Sequence, residues 1–236
     1  MPGDFILDVR GVSKRFGGVT AVQNCSFALE TGKIFALVGP NGSGKTTLFN
    51  LITGVERLDD GEIYFKDERI DHLAPHIIAR NGVGRTFQLI RVFPELTVLE
   101  NLLVVTWQDW ESARRRALEL LTFVKLDRLR REFAGNLSYG QQRLLEFARV
   151  LMLDPKLVLL DEPAAGVNRS LLKELLGAIR DLRARGKTVL IVEHDMKVVM
   201  NLSEKIFVLD HGEMLTEGTP EAVLKDERVV EAYFGR

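Results

Sequence analysis

The run Gly39, Pro40, Asn41, Gly42, Ser43, Gly44, Lys45, Thr46 and Thr47 fits the pattern G-x-x-x-x-G-K-[ST] in full. This is the phosphate-binding P-loop. Its glycines let the backbone turn so that successive N–H groups point inward at phosphate oxygens. The helix that follows adds the positive end of its dipole. Lys45 brings a full charge to the β- and γ-phosphates, and the Thr46 hydroxyl suits Mg²⁺. The flanks agree with the motif. Lys33–Val38 is a short apolar run that reads as a buried strand, and Leu48–Ile52 begins a helical pattern.

Composition narrows the class. A chain of 236 residues suits one large α/β domain or two small ones. Hydrophobic residues at 46% and charged residues at 28% allow an ordinary packed core without staples. The net charge of −1 provides no broad basic field, which argues against nucleic acid as a partner. Cys25 is the single cysteine, so no intrachain disulfide forms, and it reads as a small buried residue in a reducing compartment. His72 and His76 are four apart, but Pro75 between them disfavours one continuous helical face, and they are not read as a metal pair. No apolar stretch approaches the about 20 residues that span a bilayer. The start, Met1–Asp4, lacks the basic and apolar regions of a secretory signal. A cytoplasmic protein is therefore expected.

Phe5–Val12 and Ser26–Glu30 alternate as half-buried strands, and Glu62–Phe65 is a shorter candidate. Together they predict an antiparallel sheet flanking the P-loop strand. Leu157–Leu160, Thr188–Val192 and Ile206–Leu209 are compact apolar runs, the first two separated by a helical pattern. Such runs mark a parallel sheet covered on both faces. Between Leu89 and Asp154 the periodicity is helical. Ala113, Ala117, Leu120, Leu121 and Val124 share one face there, and Arg114–Arg116 reads as a solvated one. Leu144–Leu153 is a second helix, stopped at Asp154-Pro155. The end, from Thr219, reads as a helix with Pro220 first and Glu221 in its first turn.

Leu157–Leu160 runs into Asp161 and Glu162. Carboxylates ending a buried strand lie at the C-terminal edge of a parallel sheet, where ligands bind. Asp161 suits Mg²⁺ there as the Walker-B acid, and Glu162 suits positioning or deprotonating a water. Leu137–Gln142 opens a helix on which Ser138 and Gly140 offer a hydroxyl and free N–H groups. That segment resembles the LSGGQ signature of the ATP-binding-cassette (ABC) ATPases, with Tyr139 in place of the first glycine.

The rest of that family's order covers essentially the whole chain. Phe16 matches the aromatic that stacks on adenine. Gln88 matches the Q-loop glutamine that reaches Mg²⁺ and the water. His194 matches the switch histidine at the γ-phosphate. The resemblance implies ATP and Mg²⁺ as ligands, with Thr46, Gln88 and Asp161 at the metal and Lys45, Gln88, Glu162 and His194 as the catalytic set. It implies an α/β fold with a RecA-like P-loop core, an antiparallel β subdomain and an inserted helical subdomain. On this reading residues 1–88 and 155–236 form the core and 89–154 the insert. It also implies that two such domains sandwich two ATP molecules, so that Ser138 and Gly140 act on the partner's ATP. The D-loop of the family usually reads S-A-L-D. Here Ala165–Asn168 ends in Asn, which keeps a carbonyl oxygen and loses the charge.

Gly84–Gln88, Thr97–Asn101, Glu162–Gly166, Val192–Met196 and Asp210–Gly212 look like the LivG-type ATPases of branched-chain amino-acid importers, although the segment after Asn101 is shorter here. That subfamily implies a separate membrane permease and an extracytoplasmic substrate-binding protein. It places the ATPase on the inner face of the membrane. Arg91–Leu96 would then receive a coupling helix, or else Val92, Phe93 and Leu96 pack inside the insert. Other readings remain open: an ABC system for urea, amides or lipopolysaccharide, a soluble ABC protein, or a P-loop kinase outside the family.

Overall fold

The computed structural model describes residues 5–106 and 109–234. Met1–Asp4, read above for a missing signal, lies outside them. The chain opens with a hairpin, β1 (Phe5–Phe16) and β2 (Val19–Glu30), and then β3 (Ile34–Val38) leads through the P-loop into α1 (Lys45–Ile52). β4 (Asp60–Phe65), β5 (Glu68–Arg69), α2 (Pro75–Asn81) and β6 (Val83–Arg85) follow. Next come α3 (Val98–Leu103), α4 (Trp110–Phe123), two 3₁₀ turns and α5 (Tyr139–Leu151). β7 (Leu157–Asp161), α6 (Arg169–Ala184), β8 (Thr188–Val192) and α7 (Met196–Leu202) alternate. The described chain ends with β9 (Lys205–Asp210), β10 (Glu213–Gly218), α8 (Pro220–Val223) and α9 (Glu227–Phe234).

Two sheets result. The antiparallel one has the order β2-β1-β4-β5, as the alternation predicts. The other has the order β10-β9-β3-β8-β7-β6 and is parallel except for β10. Alternation between two cores explains why β7 and β8 are buried along their whole length. Leu157 and Leu159 of β7, with Leu190 and Val192 of β8, join a core shared with α1 and the antiparallel sheet. Val158, Leu160, Val189 and Ile191 point the other way, into a core shared with α3, α4, α5 and α6. The helices between Val98 and Leu151 thus pack on the parallel sheet's second face. Cys25 is fully buried in β2, where burial pushes its thiol up to about 12.

Two sequence expectations change. Arg116 is not part of a solvated face. Its guanidinium donates to the carbonyls of Leu151 (2.6 Å) and Met152 (3.1 Å) and to Asp154 (3.2 Å). It closes the open carbonyls at the end of α5, a cationic C-cap that periodicity alone does not reveal. The C-terminal helix is also split. Asp226 accepts from the Arg228 backbone N–H (3.0 Å) and starts α9 afresh, so α8 stops at Val223. Among the described residues no helix is long and apolar enough to cross a membrane.

Candidate active site

The P-loop is held from three sides by backbone. Gly44 is the N-cap of α1 at φ 101°, and a Cβ there would lie 2.3 Å from the Ala21 carbonyl of β2. A Cβ on Gly39 would lie 2.0 Å from the Leu209 carbonyl at the end of β9. The Gly212 N–H, in the β9–β10 turn, donates to the Ser43 carbonyl (3.0 Å). Only residues without side chains permit these approaches. The Lys45 ammonium donates to the carbonyls of Gly39 (2.9 Å) and Pro40 (2.8 Å) and to Ser43 Oγ (3.3 Å). Burial pulls its pKa down, while Glu162 and Asp161 pull it back up.

Parallel pairing sets the acids beside the histidine. Asp161 registers against Val192, so the loops carrying Glu162 and His194 leave the sheet together. The Glu162 N–H donates to the Val192 carbonyl (2.9 Å), which holds Glu162 in the left-handed region at φ 48°. A non-glycine residue there stores about 1–3 kcal/mol of strain, a condition that collects at functional sites. The Glu162 carboxylate receives both expected neighbours, with His194 Nε2 at 2.7 Å and Gln88 Nε2 at 3.4 Å. The cavity above them, of about 250 Å³, is lined by Thr46, Thr47, Asn41, Gln88, Glu162 and His194, among others.

Four further residues hold the site, and sequence reasoning missed their roles. Arg85, at the end of β6, donates to Asp161 Oδ2 (3.2 Å), Asn50 Oδ1 (2.7 Å) and Thr53 Oγ1 (3.1 Å). Both members of this ion pair are enclosed, with side chains 5% and 2% exposed. Burial raises the Asp161 pKa, against the opposing pull of Arg85. Glu193 accepts from the N–H groups of Ala164 (2.7 Å) and His194 (3.1 Å), and its burial also raises its pKa. It thereby ties the loop after Glu162 to the loop of His194. The remaining two, Gly212 and Leu209, brace the P-loop as described. The Arg-Thr-Phe-Gln and Val-Glu-His strings contain two of these four, but nothing in their spacing shows what they touch.

Arg85→Met is expected to destabilise the chain by about 3–5 kcal/mol, because it leaves the Asp161 carboxylate buried and unpaired. Urea unfolding at pH 7 measures this. A loss below about 1 kcal/mol would mean that solvent reaches Asp161 and the pair is dispensable.

Other expected residues lie apart from the cavity. Phe16 is 46% exposed at the tip of the β1–β2 hairpin, across the turn from Val19. Ser138 caps α5 by accepting from the Gln141 N–H (3.4 Å). Gly140 packs so closely on α6 that a Cβ would meet Leu171 Cδ1 at 2.6 Å. Neither Ser138 nor Gly140 lines the cavity of its own chain. Asn168 caps α6, its Oδ1 accepting from the Leu171 N–H (3.1 Å). Asp would do this equally well, so the lost charge costs the fold nothing. A larger cavity of about 450 Å³ lies among the ends of α4, α5 and α6. Of its three cations, Arg116 and Lys187 are paired with Asp154, and Arg185 lies over the Phe123 ring at 4.7 Å.

A family model described as ABC transporter matches residues 22–165. A second, described as Branched-chain amino acid ATP-binding cassette transporter, matches residues 213–236. The chain is similar to the High-affinity branched-chain amino acid transport ATP-binding protein LivG of Escherichia coli (strain K12), at 42% identity over 250 residues, covering 98% of each. It is similar to a crystal structure of the ADP conformation of an ATP-binding cassette of an ABC transporter. The TM-score is 0.89 at 35% identity, covering 98% of this chain and 99% of the other. The dimeric structure of a bacterial ABC transporter cassette aligns with TM-score 0.83 at 28% identity, covering 91% and 98%.

Proposed function

The chain belongs to the ATP-binding-cassette (ABC) transporter family, whose general activity is ATP hydrolysis, and from that premise we propose that it energises import of branched-chain or other hydrophobic amino acids through a separate membrane permease. The observation that carries the site assignment is the convergence of Gln88 and His194 on the Glu162 carboxylate, beside the P-loop.

Phosphates entering the cradle offer the Lys45 ammonium charged acceptors in place of the two neutral loop carbonyls it now holds. The N–H groups at the start of α1 serve the same oxygens, and Phe16 stacks on the adenine. Thr46, Asp161 and Gln88 present hard oxygen donors, the set Mg²⁺ prefers. Those residues would hold Mg²⁺, which would supply positive charge against the negative charge that develops on the phosphate oxygens. Glu162 takes the proton of the attacking water, and Gln88 and His194 orient that carboxylate and reach toward the γ-phosphate.

Ser138 and Gly140 complete the site of a second cassette subunit, whether a copy of this chain or a related one. That neither lines the cavity of its own chain supports this reading, as does the likeness to a dimeric cassette. Residues 89–154 act as the helical subdomain that faces the permease. Leu89, 80% exposed, and Phe93, 46% exposed, flank the Q-loop and supply an apolar contact for it. Val92 instead packs partly into the chain's own core. The chain works in the cytoplasm on the inner face of the membrane, takes no nucleic acid, and meets an extracytoplasmic binding protein only through the permease.

Tagged Glu162→Gln protein, expressed in its native cell and gently solubilised, is expected to bring down polytopic membrane proteins and a cassette subunit. The permease recovered then names the cargo. Recovery from the soluble fraction alone, with ribosomes or nucleic acid attached, would overturn the transport reading and leave the ATPase standing.

A further inference from the structure

Three side chains on one face of α5, the buried Arg143 and Glu146 and the half-buried Arg149, bond a single segment. Arg143 Nη1 donates to the Phe87 carbonyl (2.7 Å) and Nη2 to the Gln88 carbonyl (2.9 Å). Glu146 accepts from the Arg91 N–H (3.2 Å), and Arg149 donates to the Arg91 carbonyl. Two more guanidiniums lie over the Phe87 ring, Arg85 at 4.9 Å and Arg91 at 3.8 Å from its centre.

Arg143 is 2% exposed, and its Nε has no hydrogen-bond partner among the described residues. It also pairs with Glu146 at 3.2 Å. A buried ion pair with one donor left over is a poor way to stabilise a core. What it supplies is geometry. The carbonyls of residues 87 and 88 belong to the two peptide planes on either side of the Gln88 Cα. A planar fork bonded to both pins the φ and ψ of Gln88, and so the direction of its side chain toward Glu162.

The same helix begins at Ser138. Its first turn is wedged as firmly: a Cβ on Gly166 would meet the Tyr139 ring at 2.7 Å, and one on Gly140 would meet Leu171 at 2.6 Å. Arg143 stands five positions along the chain from the Ser138 cap, about 7.5 Å at the usual helical rise.

We propose that Arg143 is a positioning residue that fixes Gln88 in its own ATP site from the helix whose first turn completes the partner's site. Gln88 and Ser138 then move as one unit, and the two sites of a dimer sense each other through one buried guanidinium. This rests on the two-chain reading above.

Arg143→Lys tests it. Lysine keeps a charge beside Glu146, but its ammonium cannot present a planar fork to two consecutive carbonyls. Wild-type hydrolysis against ATP concentration is expected to show a Hill coefficient approaching about two, the number of coupled sites. The variant is expected to lose about 10- to 100-fold in kcat and to fall to a Hill coefficient of about one, with nucleotide affinity unchanged. Arg143→Met combined with Glu146→Gln removes both buried charges together and is expected to give the same two changes, which guards against a variant that merely unfolds. A lower kcat with cooperativity intact would mark Arg143 as structural only, and a variant indistinguishable from wild type would end the proposal outright. A Glu162→Gln protein that stays monomeric with ATP, together with non-cooperative wild-type hydrolysis, would instead remove the two-chain reading, and the coupling with it.

Discussion

Glu162→Gln is expected to lower the rate of ATP hydrolysis by about 10²- to 10⁴-fold, the range that a positioned general base contributes. The amide has nearly the carboxylate's shape, so His194 at 2.7 Å and Gln88 at 3.4 Å keep a partner of the same size. What it lacks is an oxygen able to take a proton at neutral pH. Nucleotide affinity should therefore survive, because the P-loop, Lys45 and Thr46 are untouched. On the two-chain reading the protein then stays closed around ATP. Phosphate release and equilibrium binding of a fluorescent ATP analogue measure the two properties separately. Hydrolysis at the wild-type rate would show that Glu162 is not the base. A parallel loss of binding would show that its charge serves the ground state.

Gly44→Ala is expected to abolish nucleotide binding by a route that involves no lost functional group. The added methyl would sit 2.3 Å from the Ala21 carbonyl, a backbone atom in a long hairpin, and 3.3 Å from Leu209 Cδ2. Neither the hairpin nor α1 can yield without opening the loop. The residue also stands at φ 101°, where a side chain adds about 1–3 kcal/mol of strain. The matched control is Gly42→Ala. Gly42 too has a positive φ, 80°, but nothing lies within 4 Å of its Cβ position. That variant should lose only about 1–2 kcal/mol of stability and keep most of its affinity. Isothermal titration with ATP and thermal unfolding of both proteins separate collision from strain. Equal behaviour of the two would mean that β2 does not brace the P-loop.

These variants also show where the chain's chemistry was readable in advance. The P-loop and the strand ending in Asp161 and Glu162 were legible because phosphate binding demands a full, spaced pattern in a set structural context. β7, β8 and β9 were legible because strands covered on both faces read as runs of four apolar residues, with polar residues only at their ends. β6 was not: it has three residues, Val83–Arg85, with a glycine in the middle. β10 was not, because its residues are half-buried or exposed and carry no clear alternation. Gln88 and His194 were found only through resemblance, since a glutamine or a histidine after an apolar run has no spacing of its own. Arg85, Arg143 and Arg116 were the least legible. Each is a long cation whose partners, Asp161, the Gln88 carbonyl and the Leu151 carbonyl, are 76, 55 and 35 positions away. A charged residue in a sequence reads as surface by default, and only the tertiary arrangement turns it inward.

The strand order sets a timetable for making this protein. β3 carries the P-loop, yet both of its neighbours, β8 and β9, lie in the last quarter of the chain, as does the Gly212 N–H that ties Ser43. During synthesis the five fully buried residues of β3 leave the ribosome some 150 residues before anything can pair with them. A phosphate loop made early therefore waits on its last-made supports, and a nascent chain acquires ATP affinity only when almost all of it has emerged. Until then an apolar strand with two open edges is a template for other chains. This places the greatest risk of aggregation in the cell before the active site exists, and makes holdase protection of that strand a matter of translation rate rather than of final stability.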